Sequence, residues 1–163
     1  MIIRIRPTLF ALFFIALVLP AASRAEPLIR SVPALTEAGV QSLIQEAERL
    51  AHEAKDPAAI AVVDADGLLL GFLRMDGARP GSVDLAIGKA RAAALMQRPT
   101  DEIEDNVAKG RVALATAGLT ALRGGAPLKA GGATVGGIGI ASTRKEDDQA
   151  TAAAVAAKDL GVP

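Results

Sequence analysis

The chain has 163 residues, with 18 basic and 18 acidic side chains and no cysteine. Disulfides and cysteine chemistry are excluded outright, and so balanced a charge gives no electrostatic reason to bind nucleic acid or an anionic membrane surface. Stability must come from an apolar core, which a single domain of about 140 residues can supply unaided.

The chain opens MIIRIRPTLFALFFIALVLPAASRAEP, with Arg4 and Arg6 ahead of an apolar run from Leu9 to Ala22 and small residues Ser23 and Ala25 flanking an expected cut before Glu26. That is the layout of a secretory signal, residues 1–25. The run is shorter than the ~20 residues that span a bilayer and is broken by Pro20, so cleavage and release to the periplasm or the medium are expected, with no stable membrane insertion afterwards. Residues 26–163 then form one domain with 15 basic and 18 acidic groups. That domain keeps one aromatic side chain, Phe72, one histidine, His52, and two methionines, Met75 and Met96.

Thr36 reads as the N-cap of a helix whose apolar positions Val40, Leu43, Ile44, Ala47, Leu50, Ala51 and Ala54 share one stripe. His52 falls on the opposite face, near Gln41, Gln45 and Glu48, which places it in water or at a subunit contact. Asp56-Pro57 ends the helix. Ile60 to Val63 and Leu68 to Leu73 are apolar runs too short for helices and too continuous for a half-exposed sheet, so they read as central strands. Asp64-Ala65-Asp66-Gly67 between them is turn chemistry. Its D-A-D-G also resembles the start of a calcium loop, but Leu68, Leu69 and Leu70 offer no oxygen ligand where that loop needs one.

Ser82 caps a helix to about Gln97 whose small face, Ala86, Ala90, Ala93 and Ala94, allows close packing on a sheet. Pro99-Thr100 starts another, with Asp101 and Glu102 at the positive end of its dipole. From Leu119 paired glycines punctuate short strands before a longer one, Thr134 to Ala141. Simple alternation sets Val135, Gly137 and Gly139 on one face and Gly136, Ile138 and Ile140 on the other, letting a backbone or a flat ligand approach closely. Thr143 and Glu146 form a capping box for a closing helix from about Arg144 to Leu160. The economical fold is α+β: one domain, a central antiparallel sheet flanked by helices.

Most familiar chemistries fail on context. The one imidazole lies on the polar side of an early helix and no G-x-S-x-G elbow occurs, which disfavours a serine hydrolase. Gly137-Ile138-Gly139 runs through a strand rather than into a helix, so it is no phosphate loop. Asp101, Glu104 and Asp105 share a face that would hold a hard cation weakly, although a solvated first turn accounts for them more simply. Arg74 and Asp76 point to one side of a strand end with Met75 to the other. Two readings stand for them: a strand emerging into solvent, or Arg74 at a pocket mouth awaiting a carboxylate.

The blocks IAVVDADGLLLGFLRMDGA, SVDLAIGKARAA, RGGAPLKAGGATVGGIGIAS and EDDQATAAA, in this order, resemble the GlcG/HbpS-like haem-binding family, which includes the C-terminal domain of the propanediol-utilisation corrinoid adenosyltransferase. The similarity spans Leu35 to Leu160. It implies a profilin-like domain that assembles into homo-oligomers and binds haem, or less readily a corrinoid, as an exported protein for sequestration, delivery or sensing. The family pattern maps onto Asp64, Gly67, Arg74, Met75, Asp76, Gly77, Lys89, Gly124, Gly125 and Pro127. On this resemblance Arg74 and Lys89 would meet propionates, the Gly124-Gly125 turn would leave room for a flat ring, and His52 is the first choice of iron ligand. Two other functions remain open from the residues: an enzyme or accessory factor holding a small organic acid between Arg74 and Lys89, and an oligomeric structural module with no ligand.

Overall fold

The computed structural model describes residues 28–29 and 31–161; the expected leader and its cut lie outside the described residues. The elements below belong to one compact unit, residues 32–163.

Thr36 does cap the first helix, α1 (Glu37–Ala54), its Oγ1 accepting from the Gly39 N–H at 3.1 Å. The stripe of Val40, Leu43, Ala47 and Ala51 is buried, and Lys55 in the left-handed region closes the C-terminal end with its N–H on the Ala51 and His52 carbonyls. Strands β1 (Ala59–Asp64) and β2 (Leu69–Arg74) follow as an antiparallel hairpin. Asp64 organises the turn: its Oδ1 accepts from the N–H groups of Asp66 and Leu68, and Gly67 takes φ 79°. Helices α2 (Ser82–Met96) and α3 (Thr100–Ala108) come next, then a short 3-10 turn, Val112–Thr116. Strands β3 (Gly125–Ala130) and β4 (Ala133–Ala141) form a second hairpin, and α4 (Lys145–Ala156) closes the chain.

The sheet order is β2-β1-β4-β3 with every pairing antiparallel, which is the α+β architecture expected. Helices α1 and α4 cover one face, where Ile60, Val62, Ile138, Ile140 and Leu128 meet Val40, Leu43 and Val155. Helix α2 covers the other through a thin layer of Ala59, Ala61, Val63, Ala86, Ala90 and Ala94. A Cβ on Gly139 would lie 2.1 Å from the Ala86 carbonyl oxygen, and one on Gly137 would lie 2.3 Å from that of Ala90. The glycines of β4 therefore admit a helix backbone, not a ligand.

Four local expectations need correction. β2 is an edge strand rather than a central one, and Leu69 and Leu70 are exposed. Val135 does not follow Gly137 to the α2 face: Leu128 pairs with Gly136 and Lys129 with Thr134, so Val135 is the extra residue of a bulge and turns into the α1/α4 core. Ser82 is the first residue of α2 and not its cap, which is Gly81. Thr143 forms no capping box, because its hydroxyl donates instead to Asp56 Oδ1 at 2.6 Å, and α4 begins at Lys145 and ends at Ala156.

Candidate functional site

Lys89 rides on the small-residue face of α2 and is only 4% exposed. Its ammonium donates to the Ile140 carbonyl and to Asp148 Oδ2, both at 2.8 Å. The other carboxylate oxygen of Asp148 accepts from the Ser142 N–H at 2.8 Å and the Ser142 hydroxyl at 2.6 Å. An ammonium with these partners is an internal tie between α2, β4 and α4, and it is not available to a ligand acid. Arg74 is exposed at the end of edge strand β2. The structure thus does not join Arg74 and Lys89 in one cation pair, and the expected clamp for a small organic acid is absent.

The Gly124-Gly125 turn is closed as well. Gly124, at φ 111°, donates its N–H to Gln149 Oε1 at 2.7 Å, and Gly125 donates to the buried Thr100 hydroxyl at 2.8 Å. A Cβ on Gly124 would stand 2.7 Å from Asp148 Cβ and 2.9 Å from Lys89 Nζ. One on Gly125 would stand 2.5 Å from the Lys89 carbonyl oxygen. The space that glycine leaves is filled by the domain's own atoms, so no flat ring enters there. Pro127 is buried in β3 opposite Gly137, an edge-strand position where its missing N–H breaks no ladder bond.

Met75 belongs to the core. It is buried among the α1-side residues, and its sulfur accepts from the Ala58 N–H at 3.4 Å while its own N–H donates to the Ala58 carbonyl at 3.1 Å. Asp76 is exposed in the turn that Gly77 closes at φ 89°. The RMDG segment thus ends β2 by plugging a thioether into the core while Arg74 and Asp76 stay in water.

His52 lies near the C-terminal end of α1 with its side chain 69% exposed, and Glu48 Oε1 is 3.8 Å from its Nε2. The loop from α1 enters β1 beside the end of β2, where Met75 meets Ala58. His52 and Arg74 therefore sit toward the same end of the sheet but on its two sides, His52 on α1 and Arg74 on the α2 face with its strand partner Ala59; Arg74 enters none of the ion pairs among the described residues.

Of the α3 acids, Asp101 accepts through Oδ1 from the Glu102 N–H in the first turn, while Glu104 and Asp105 are taken up by Arg123. Its Nε donates to Glu104, its terminal nitrogen donates to Asp105 at 3.1 Å, and Lys145 stands 3.5 Å from Glu104. Burial pushes the Glu104 carboxyl up, but the Arg123 hydrogen bonds outweigh it and hold the group below its ordinary range. Asp56 behaves alike: burial raises it, while the Thr143 hydroxyl and the Thr143 and Arg144 amides lower it further. Among the described residues no cluster of three or more acidic or histidine side chains is placed to hold a metal ion.

Asp148, Asp56 and Thr100 were not singled out from the sequence. One signal was present for Asp148: Lys89 occupies a helix face shared with Ala86, Ala90 and Ala93, and a lysine on a buried face demands a buried carboxylate.

Known proteins share this fold. Residues 35–157 match the family model described as "Haem degrading protein HbpS-like". Over 83 residues the chain is 42% identical to Protein GlcG of Escherichia coli K12, covering 50% of this chain and 62% of GlcG; the match thus spans less than two thirds of that relative. A double mutant of Streptomyces reticuli HbpS superposes with a TM-score of 0.73 at 36% identity, over 85% of this chain and 95% of that one. A crystal structure described as the PduOC:heme complex gives 0.69 at 28% identity, over 77% and 94%. With a family model that takes in every helix and strand from α1 to α4, the chain belongs to the HbpS-like family.

Proposed function

We propose that this chain is an exported haem-binding protein that takes up the tetrapyrrole on its surface for sequestration, delivery or sensing. The observation that carries the reading is His52: the chain's one imidazole stands exposed on a fold whose relative was crystallised with haem.

The donor set fits haem in one respect and limits it in another. His52 offers an accessible nitrogen for iron, a common axial ligand, whereas the Met75 sulfur is buried and already accepts a hydrogen bond. Arg74 offers a fork suited to an acid, but its strand partner Ala59 belongs to the α2 side of the sheet, opposite α1 and His52, so one domain does not set both against the same haem. The Gly124-Gly125 turn and the Lys89 ammonium contribute nothing, because both are sealed inside the domain. Haem would therefore be held from the exposed surface of α1, with His52 as the residue that would hold its iron. Bound iron would supply the redox and ligand chemistry, while this chain's part is to hold and orient the group.

The test is titration of the purified protein with haemin, followed by its absorbance: saturation at a fixed stoichiometry supports the reading, and a merely additive spectrum removes it. N-terminal sequencing of protein recovered outside the cytoplasm tests export, with Glu26 as the expected first residue.

A further inference from the structure

We propose that the first turn of α2 is a binding site for a phosphate group, free or as a monoester, held among Arg79, the Ser82 hydroxyl and the Asp84 N–H. Arg79, Gly81, Ser82 and Leu85 line an open hollow of about 290 Å³ there. Ser82 is its unusual member. The residue is only 3% exposed, yet its hydroxyl takes part in no hydrogen bond among the described residues, none of which has a side-chain oxygen or nitrogen sealed from solvent without a partner. The hydroxyl therefore opens onto the hollow that its residue lines.

Water alone would satisfy a hydroxyl, but the groups around this one select an anion. The Ser82 and Val83 N–H groups are closed by turn bonds to the Arg79 and Pro80 carbonyls at 3.0 and 3.3 Å. The Asp84 N–H is left over, because the cap is Gly81, which has no side chain to accept from it. The positive end of a 15-residue helix thus faces the hollow. Arg79 adds a full charge: one terminal nitrogen donates to the Ser142 carbonyl at 2.8 Å, which pins the guanidinium beside the β4–α4 connection with donors to spare. A cation beside the positive end of a helix is repelled until an anion lies between them. The opposing charge in that turn is Asp84, exposed and not part of the lining, so it weakens binding without filling the hollow. A phosphate monoester brings three acceptor oxygens to guanidinium, hydroxyl and amide, where a carboxylate brings two. Leu85, 39% exposed, gives the rest of an ester an apolar wall. Helix α2 lies across the sheet from α1 and His52, so this site stands apart from the haem reading.

Calorimetric titration of haem-free protein with inorganic phosphate, phenyl phosphate and acetate tests it. Wild type should bind both phosphates saturably and acetate at least about tenfold more weakly. Ser82→Ala, which removes one oxygen, should weaken phosphate binding about tenfold. Arg79→Gln should weaken it further, Asp84→Asn should tighten it, and circular dichroism should be unchanged in all three. Tighter binding of phenyl phosphate than of inorganic phosphate identifies an ester lying on Leu85, and equal binding identifies the free ion. Absence of saturable binding of either phosphate overturns the proposal, whatever haem does. Phosphate binding that survives Ser82→Ala and Arg79→Gln unchanged, or acetate held as tightly as phosphate, overturns it equally.

Discussion

Lys89 and Asp148 form an ion pair at 2.8 Å that is almost wholly buried, with Ile140 and Ser142 satisfying the remaining bonds. Removing one partner strands the other charge away from water. Lys89→Met should therefore lower unfolding stability by about 3–5 kcal/mol, measured by urea denaturation. Were Lys89 instead a surface cation for ligand acids, stability would hold and ligand affinity alone would drop.

Closeness of α2 to the sheet sets a second expectation. Valine at Gly139 would drive its Cβ to 2.1 Å from the Ala86 carbonyl oxygen, and a helix backbone cannot yield as a flexible side chain can. Gly139→Val should cost about 1–3 kcal/mol or more, read as a lowered melting temperature. Gly81→Ala, where an added Cβ meets nothing within 4 Å, should leave it nearly unchanged.

Acid sensitivity should follow Asp56 and Glu104, held below their ordinary values of 3.8 and 4.5. In both, burial raises the value and hydrogen bonds bring it lower still. A depressed folded value contributes stability that is complete above the unfolded value and lost as pH falls through the folded one. Their contribution should stay level from neutral pH to about pH 5 and decline below about pH 4. Asp56→Asn should flatten part of that decline in unfolding experiments from pH 7 to 3; an unchanged slope would remove Asp56 from the account.

Much of this architecture was readable because local chemistry and global position agree. Thr36 caps where its hydroxyl can reach Gly39, and Asp64 with Gly67 makes the turn whose chemistry it carries. The Ala86-Ala90-Ala94 face foretold a close helix-to-sheet contact. The edge position of β2 was not readable, because Leu68 to Leu73 is as continuously apolar as β1 and only the pairing partners differ. Nor was the Val135 bulge, which depends on where β3 meets β4. The site suffered most: Lys89, Gly124 and Gly125 are drawn together as expected, but around Asp148, Gln149 and Thr100 rather than around an empty slot.

The most direct measurement is the absorption spectrum of ferric haem titrated into wild type and His52→Ala, with folding checked by circular dichroism. The account predicts a saturable Soret shift in wild type that is weakened in His52→Ala, with Lys89 playing no part in the spectrum. An identical saturable shift in both proteins would contradict ligation by His52, and no saturable shift in either would contradict haem binding itself.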